Sequence, residues 1–297
     1  MGNSKVVNWG IFIMLSFIWG SSFVLMKEGL LFLTAYQVAS IRIISSGLVL
    51  LPIAIKNFTK IPANKLMYVF LSGVLGSLLP AYLFCIAEQG IDSSLAGVLN
   101  ALTPIFVIII GALFFQNRTS THKVIGIVIA FSGSVLLFFS QPGFSQNSNA
   151  FYVLLVVLAT LLYGINVNMV HRHLNTIPSL HIAAVALTLN AIPALAVLYF
   201  TGYFHTDLSN SGVQMSTFYS AILGIGGTAI ATILFYMLLK RAGSVFASMV
   251  TYAIPIVAIM WGIVYQEEIG WKQVVCMCII LLGVWWANRK RLPTTDQ

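Results

Sequence analysis

The sequence predicts an all-α integral membrane protein of ten transmembrane helices, arranged as two inverted five-helix repeats with both termini cytoplasmic. Three observations predict it: a composition too apolar for water, ten separate apolar runs, and a correspondence between the two halves of the chain. Of 297 residues, 59% are hydrophobic and only 7% charged, where soluble domains carry about 25% charged residues. Mean hydropathy is +0.95. Several spans of roughly 20 apolar residues must therefore exist, and a soluble enzyme, a disordered tail and a nucleic-acid module are excluded.

Charges, loop residues and prolines mark the spans in order. Span one, near 8–27, follows Lys5; its apolar run from Val6 to Met26 is too long for a secretory signal and lacks an A-x-A-like site, so it is expected to be retained. Span two, 34–55, holds Arg42 and ends at the polar stretch Lys56 to Lys65. Spans three (66–87) and four (93–115) flank Glu88 and Asp92. Span five, 121–140, stops at QPGFSQNSN. Span six, 150–171, runs out at His171-Arg172-His173, whose ring nitrogens diverge on a helix and suit a cytoplasmic helix end better than a metal. Spans seven (179–201) and eight (216–239) flank GYFHTDLSNSGVQ. Spans nine (244–265) and ten (271–288) complete the set. Cys85, Cys276 and Cys278 all fall in apolar runs and read as small core residues, not as a disulfide framework.

The net charge of +8 records topology. With the N-terminus inside, twelve of the fifteen Lys and Arg fall on the cytoplasmic side: Lys5, Lys56, Lys60, Lys65, Arg118, Lys123, Arg172, Lys240, Arg241, Arg289, Lys290 and Arg291. Lys27 and Lys272 fall outside, and Arg42 lies within a span. That bias satisfies the positive-inside rule.

Displacing the chain by about 151 residues superposes Gly73-x-x-Gly76 on Gly224-x-x-Gly227, Phe84 on Phe235, Ala96 on Ala247, Pro104 on Pro255 and Gly111 on Gly262; a displacement of about 144 sets Ser16, Trp19 and Gly20 on Thr160, Tyr163 and Gly164. The units are 1–141 and 150–297. Five spans per copy is an odd number, so the second copy enters the membrane from the opposite face. The loop after span three is acidic (Glu88, Asp92) and its counterpart after span eight basic (Lys240, Arg241), as inversion requires. Inverted repeats are the hallmark of secondary transporters that alternate access around a midplane site.

The motif residues are Trp19-Gly20-Ser21-Ser22-Phe23, Arg42, the stretches Ala96 to Pro104 (AGVLNALTP) and Ala247 to Pro255 (ASMVTYAIP), and Glu268. In these the chain resembles the EamA-type ten-span permeases of the drug/metabolite transporter superfamily over nearly its whole length. One departure is Phe115-Gln116-Asn117-Arg118, where the first copy usually carries Glu. The resemblance implies a transporter, an exporter of small metabolites such as amino acids or related compounds, in a bacterial-type inner (plasma) membrane. Export of cationic or amphipathic drugs is the alternative. A further one, an intramembrane enzyme on lipid-linked substrates, needs clustered His or carboxylates at membrane depth, and the sequence has none. No Walker loop, HExxH helix or Gly-x-Ser-x-Gly elbow is present, so no enzyme activity, cofactor or metal is expected. The expected partners are a small metabolite and membrane lipids, with no nucleic acid, and a monomer is expected.

Several residues are candidates for the pathway. Ala96, Asn100 and Thr103 form an i, i+4, i+7 stripe that Ala247 and Thr251 partly repeat, and Asn100 offers both donors and an acceptor. Arg42 is costly within a span unless it meets water, protein or a counter-charge; it suits a substrate carboxylate or a gate, with Glu88 as the candidate partner, or else a structural ion pair. Trp19, Tyr82, Tyr163, Asn166 and Tyr252 are further candidates for the wall. Pro104 and Pro255 should kink their helices and free carbonyls near Asn100 and Thr251. Gly20, Gly73, Gly76, Gly164, Gly224 and Gly227 lie on small-residue faces where helices can approach closely and rock.

In a cysteine-less background, Ser145→Cys is expected to react with a membrane-impermeant maleimide from outside intact cells and Thr59→Cys only after lysis. The reverse pattern would overturn the topology.

Overall fold

The computed structural model describes residues 2–91, 93–117, 119–140, 150–264 and 270–288. Asp92, Arg118, Ser145 and the rest of 141–149, Glu267, Glu268 and the basic residues 289–291 lie outside the described residues. All regular structure within them is helical. Eight helical stretches are long and apolar enough to cross a membrane, and two shorter apolar helices, Thr121–Leu137 and Ser244–Val257, accompany them.

The α-helices in chain order are α1 (Gly2–Gly29), α2 (Ala35–Asn57), α3 (Ala63–Gly73), α4 (Leu79–Ala87), α5 (Ser93–Asn100), α6 (Thr103–Phe115) and α7 (Thr121–Phe139) in the first half. The second half holds α8 (Ala150–His173), α9 (Ser179–Phe200), α10 (Ser211–Ile222), α11 (Ala231–Ala242), α12 (Ser244–Ser248), α13 (Ile254–Val264) and α14 (Trp271–Asn288). Local sequence sets their ends. Thr34 and Gln37 form a reciprocal capping box at the start of α2, and Asn210 accepts from Gly212 and Val213 to start α10. Gly243, at φ 88°, ends α11, a conformation that glycine adopts without strain.

Two kinds of irregularity recur in both halves. A π-helical turn, Val74–Leu78, joins α3 to α4, and another, Leu223–Ile230, joins α10 to α11. In each half one stretch also breaks before a proline, whereas Pro52 and Pro193 lie inside the unbroken α2 and α9. α5 and α6 are separated by the turn at 101–102, with Pro104 in the first turn of α6; α12 and α13 are separated by the 3₁₀ segment Met249–Ala253, with Pro255 opening α13. Proline fits a first turn, where its missing N–H costs nothing, and it leaves the carbonyl four residues earlier, of Asn100 or Thr251, without a helical donor.

The halves interlock rather than sit side by side. α2 lies along α9 and α7 along α14, while α8 packs on α4 and α6, and α1 on α11 and α13. Contacts at small residues repeat in pairs. A Cβ on Gly20 would meet Val257 and one on Gly164 would meet Phe106; one on Gly76 would meet Asn166 and one on Gly227 would meet Ser22. Val257 stands 151 residues after Phe106, and Asn166 stands 144 after Ser22, the displacements already seen in the sequence. Gly73 lies against Asn190 and Gly224 against Ser45 and the Arg42 carbonyl. Outward faces carry large apolar side chains such as Phe114 (76% exposed) and Phe200 (84%). Lipid tails suit such a surface and water does not.

One close backbone approach is between α7 and α14, where a Cβ on Gly126 would stand 2.7 Å from the Gly283 carbonyl oxygen and 2.5 Å from the Ala287 nitrogen. Backbone cannot swing aside as a side chain can. Gly126→Ala is therefore expected to cost about 1–3 kcal/mol, read as a lowered unfolding midpoint in detergent. Gly10→Ala, which meets nothing within 4 Å, should leave the midpoint unchanged or raised.

Candidate functional site

A cavity lies in the interior, with about 100 Å³ of space reachable by the centre of a water molecule. That is room for several waters or for a small solute. Its walls come from irregular backbone: Gly76 and Ser77 from one π turn, Gly227 and Thr228 from the other, and Asn100, Thr103, Ser248 and Thr251 from beside the two proline breaks. Irregular backbone at membrane depth is tolerated where it is buried in protein or lines a hydrated space, and π turns recur at functional sites.

Of the wall residues expected from sequence, Trp19, Arg42, Asn100, Thr103, Tyr163, Asn166 and Thr251 line this cavity, as do Gly76 and Gly227. Two do not. Tyr82 turns aside to share a 2.8 Å hydrogen bond with Ser40, and Tyr252 is fully buried, donating to the Ile127 carbonyl at 3.2 Å. The sequence reading missed Ser22, Ser77, Thr228, Thr232, Phe235, Tyr236 and Ser248. A signal for some of them was present: Thr228 stands 151 residues after Ser77, as Phe235 does after Phe84, and all four face the cavity.

The lining falls largely into matched pairs. Trp19 and Tyr163, Ser22 and Asn166, and Phe23 and Val167 are 144 apart; Gly76 and Gly227, Asn100 and Thr251, and Thr103 and Ile254 are 151 apart. Arg42 breaks the pattern, since the residues about 144 or 145 further on are Ala186 and Leu187. The wall's one charge is thus on one side only.

Arg42 Nε donates to Thr228 Oγ1 at 2.7 Å, bridging α2 to the π turn of the other half. Its remaining N–H groups make no hydrogen bond to another described residue, and no acidic side chain lines the cavity among the described residues. Glu88 does not supply the counter-charge: its carboxyl accepts from the Ser93 side chain, and Lys27 is the cation that acts on it.

The neutral groups divide into those already occupied and those still available. Trp19 Nε1 donates to the Gly227 carbonyl at 3.1 Å, a carbonyl within the second π turn. Ser22 Oγ donates to the Ile18 carbonyl of its own helix at 2.7 Å, which leaves its lone pairs as acceptors. Thr103 Oγ1 donates to Asn100 Oδ1 at 3.3 Å. Asn166 Nδ2 points to the Tyr236 hydroxyl at 3.4 Å, and its Oδ1 is buried without a partner. A buried unpaired carbonyl costs about 1–3 kcal/mol. The cavity therefore presents a cationic donor, acceptor lone pairs on Ser22, and aromatic walls from Trp19, Phe84, Tyr163 and Phe235.

Comparison with known proteins agrees with this architecture. The EamA-like transporter family matches residues 8–139 and again 150–289. An uncharacterized transporter of Archaeoglobus fulgidus is 28% identical, over 92% of this chain and 95% of that protein. Protein PagO of Salmonella typhimurium is 21% identical over 97% and 95%, and the uncharacterized inner membrane transporter YedA of Escherichia coli (strain K12) is 23% identical over 85% and 81%. A solved crystal structure superposes with a TM-score of 0.72 over 97% of both chains at 15% identity, a likeness of fold.

The Arg42–Thr228 bond can be isolated by a double-mutant cycle of Arg42→Gln and Thr228→Val. A coupling of about 1–2 kcal/mol is expected in thermal unfolding, the upper range for interhelical hydrogen bonds in membranes. Strict additivity would show that the two groups do not interact.

Proposed function

The chain belongs to the EamA-like transporter family, and on that premise we propose that it exports small metabolites, such as amino acids or related compounds, across an inner membrane by alternating access. It is a membrane transporter and not an enzyme. The observation that carries the substrate class is Arg42: a guanidinium fixed at one nitrogen by Thr228, with free donors in a cavity that no acid lines among the described residues. An anionic group answers that charge, and a carboxylate matches the planar donor fork. An exporter of cationic drugs would want a carboxylate where this wall has Arg42. The outward direction rests on family resemblance alone.

The reading takes the chain as ten spans in two inverted units, 1–141 and 150–297, with both termini cytoplasmic. What supports it is the pairing of contacts at constant displacement, Gly20 with Val257 against Gly164 with Phe106, and the matched π turns and proline breaks. Helices that meet through glycine have smooth faces, and the two units can rock about the cavity without unlocking large side chains. One chain supplies the whole cavity, so a monomer is the working unit, with lipids as its surroundings.

Metabolite profiling of cells with and without the chain, followed by efflux or uptake in liposomes, identifies the solute. Arg42→Ala and Asn100→Ala are each expected to lower its transport about tenfold or more, since a hydrogen bond to a charged group contributes about 1.5–3 kcal/mol and 1.4 kcal/mol is a factor of ten. Stable variants that transport as the wild type does would refute the assignment of this cavity.

A further inference from the structure

Beyond the cavity, one acid has a place that the transport reading does not use. Glu88 caps the C-terminal end of α4, with its N–H bonded to the Phe84 carbonyl, and Phe84 lines the cavity one turn earlier. The helix end presents unpaired carbonyl dipoles, which disfavour an anion. Oε1 of Glu88 is buried with no hydrogen-bond partner. Three residues before it, Cys85 is fully buried with Sγ 3.4 Å from Met26 Sδ, and Met26 also lines the cavity. Two sulfur side chains and Phe84 thus separate the carboxyl group from the space that holds Arg42.

The groups that face Glu88 come from every neighbouring element. α1 contributes Lys27, which is exposed, and α5 contributes the Ser93 hydroxyl that its carboxylate accepts from. From α2, Arg42 reaches Cys85 electrostatically, as Glu88 itself does. From α8, Tyr163 stacks on Phe84 with ring centroids 6.2 Å apart, and Tyr152 lies against Gly90. Asp92 lies outside the described residues. One exposed cation and one hydroxyl are little compensation for a carboxylate with a sealed oxygen.

We propose that Glu88 is a proton-binding site at this end of the transport pathway, protonated while the contact of Cys85 with Met26 is closed and ionised when that contact opens and water reaches it. This rests on the reading of the cavity as a transport site. The step is a simple exchange: the carboxyl O–H bond breaks, the proton passes to water, and the carboxylate left behind is stabilised by hydration and by Lys27. On reclosing, a proton from the same aqueous phase returns. Proton occupancy and opening at this end are then linked, so pH sets the balance between the two states.

Burial pushes the Glu88 carboxyl up to about 8, against the smaller opposing effects of Ser93 and Lys27. The sign follows. An acid whose folded value is raised contributes stability below its ordinary range, near 4.5, and loses it as pH rises through about 8.

The test uses the full chain in lipid vesicles with no substrate. Infrared titration of the wild type should show a protonated carboxyl band that fades with a midpoint near 8 and is missing in Glu88→Gln. Glu88→Asp, which keeps an acid, should give a band at a shifted frequency and guards against a Gln variant that does not fold. Opening is read from Cys85 in a Cys276→Ser, Cys278→Ser background. At a single pH above 8, its reaction with N-ethylmaleimide should be about tenfold faster with Glu88 than with Glu88→Gln, in which the neutral form is fixed. A carboxyl band that titrates near 4.5, or one retained in Glu88→Gln, overturns the proton site. Equal Cys85 reactivity overturns the link to opening. Neither result depends on the transport assay, so failure of the cavity assignment and failure of this proposal are separately visible.

Discussion

A hydrocarbon surrounding offers no hydrogen bonds, and the rest of the structure depends on that constraint. Every backbone break and every polar side chain must find a partner in the protein or face an interior space. Two π turns and two proline breaks would be untenable against lipid, and here all four meet around one cavity. Serines and threonines along the helices are held by carbonyls of their own helix, as Ser16 is by Phe12 and Ser72 by Val69. Among the described residues, what remains unsatisfied includes the Arg42 guanidinium at the cavity wall and the buried side-chain oxygens of Glu88, Asn166 and Asn190.

Symmetry shapes the cavity and one departure from it gives the cavity its character. Paired residues make a wall of small, hydroxyl and aromatic groups that alone would suit almost any neutral solute. Arg42 has only Ala186 and Leu187 at corresponding places, so its charge polarises a nearly symmetric space. Thr228 fixes the guanidinium from the opposite half. That bond ties the position of the guanidinium to the relative position of the halves.

Much of this was legible in the sequence because hydropathy and small-residue spacing are local signals. Eight of the ten apolar runs meet helices long enough to cross a membrane and two meet shorter apolar helices, and Pro104 and Pro255 mark breaks while Pro52 and Pro193 lie within α2 and α9. Arg42, Asn100, Thr103 and Thr251 were found because a charge or a polar stripe in a span has few alternatives. Tyr252 was misplaced because it neighbours Thr251 in sequence; the 3₁₀ turn Met249–Ala253 carries its ring toward Ile127 instead. Tyr82 was misplaced on similar grounds, its hydroxyl being taken by Ser40. Ser77 and Thr228 read as parts of small-residue packing faces and not as wall residues, because a lone hydroxyl in an apolar run is ordinary and a π turn, which swings such a group onto a new face, has no sequence signature of its own.

The central claim is that this cavity communicates with both faces of the membrane in turn. Its most direct test needs no knowledge of the solute. Thr103→Cys, in a chain with Cys85, Cys276 and Cys278 replaced by alanine, is reconstituted in vesicles of known orientation and exposed to a small charged methanethiosulfonate on one side or the other. Alternating access predicts modification from either face. Reaction from neither face, or from one face only, would contradict it.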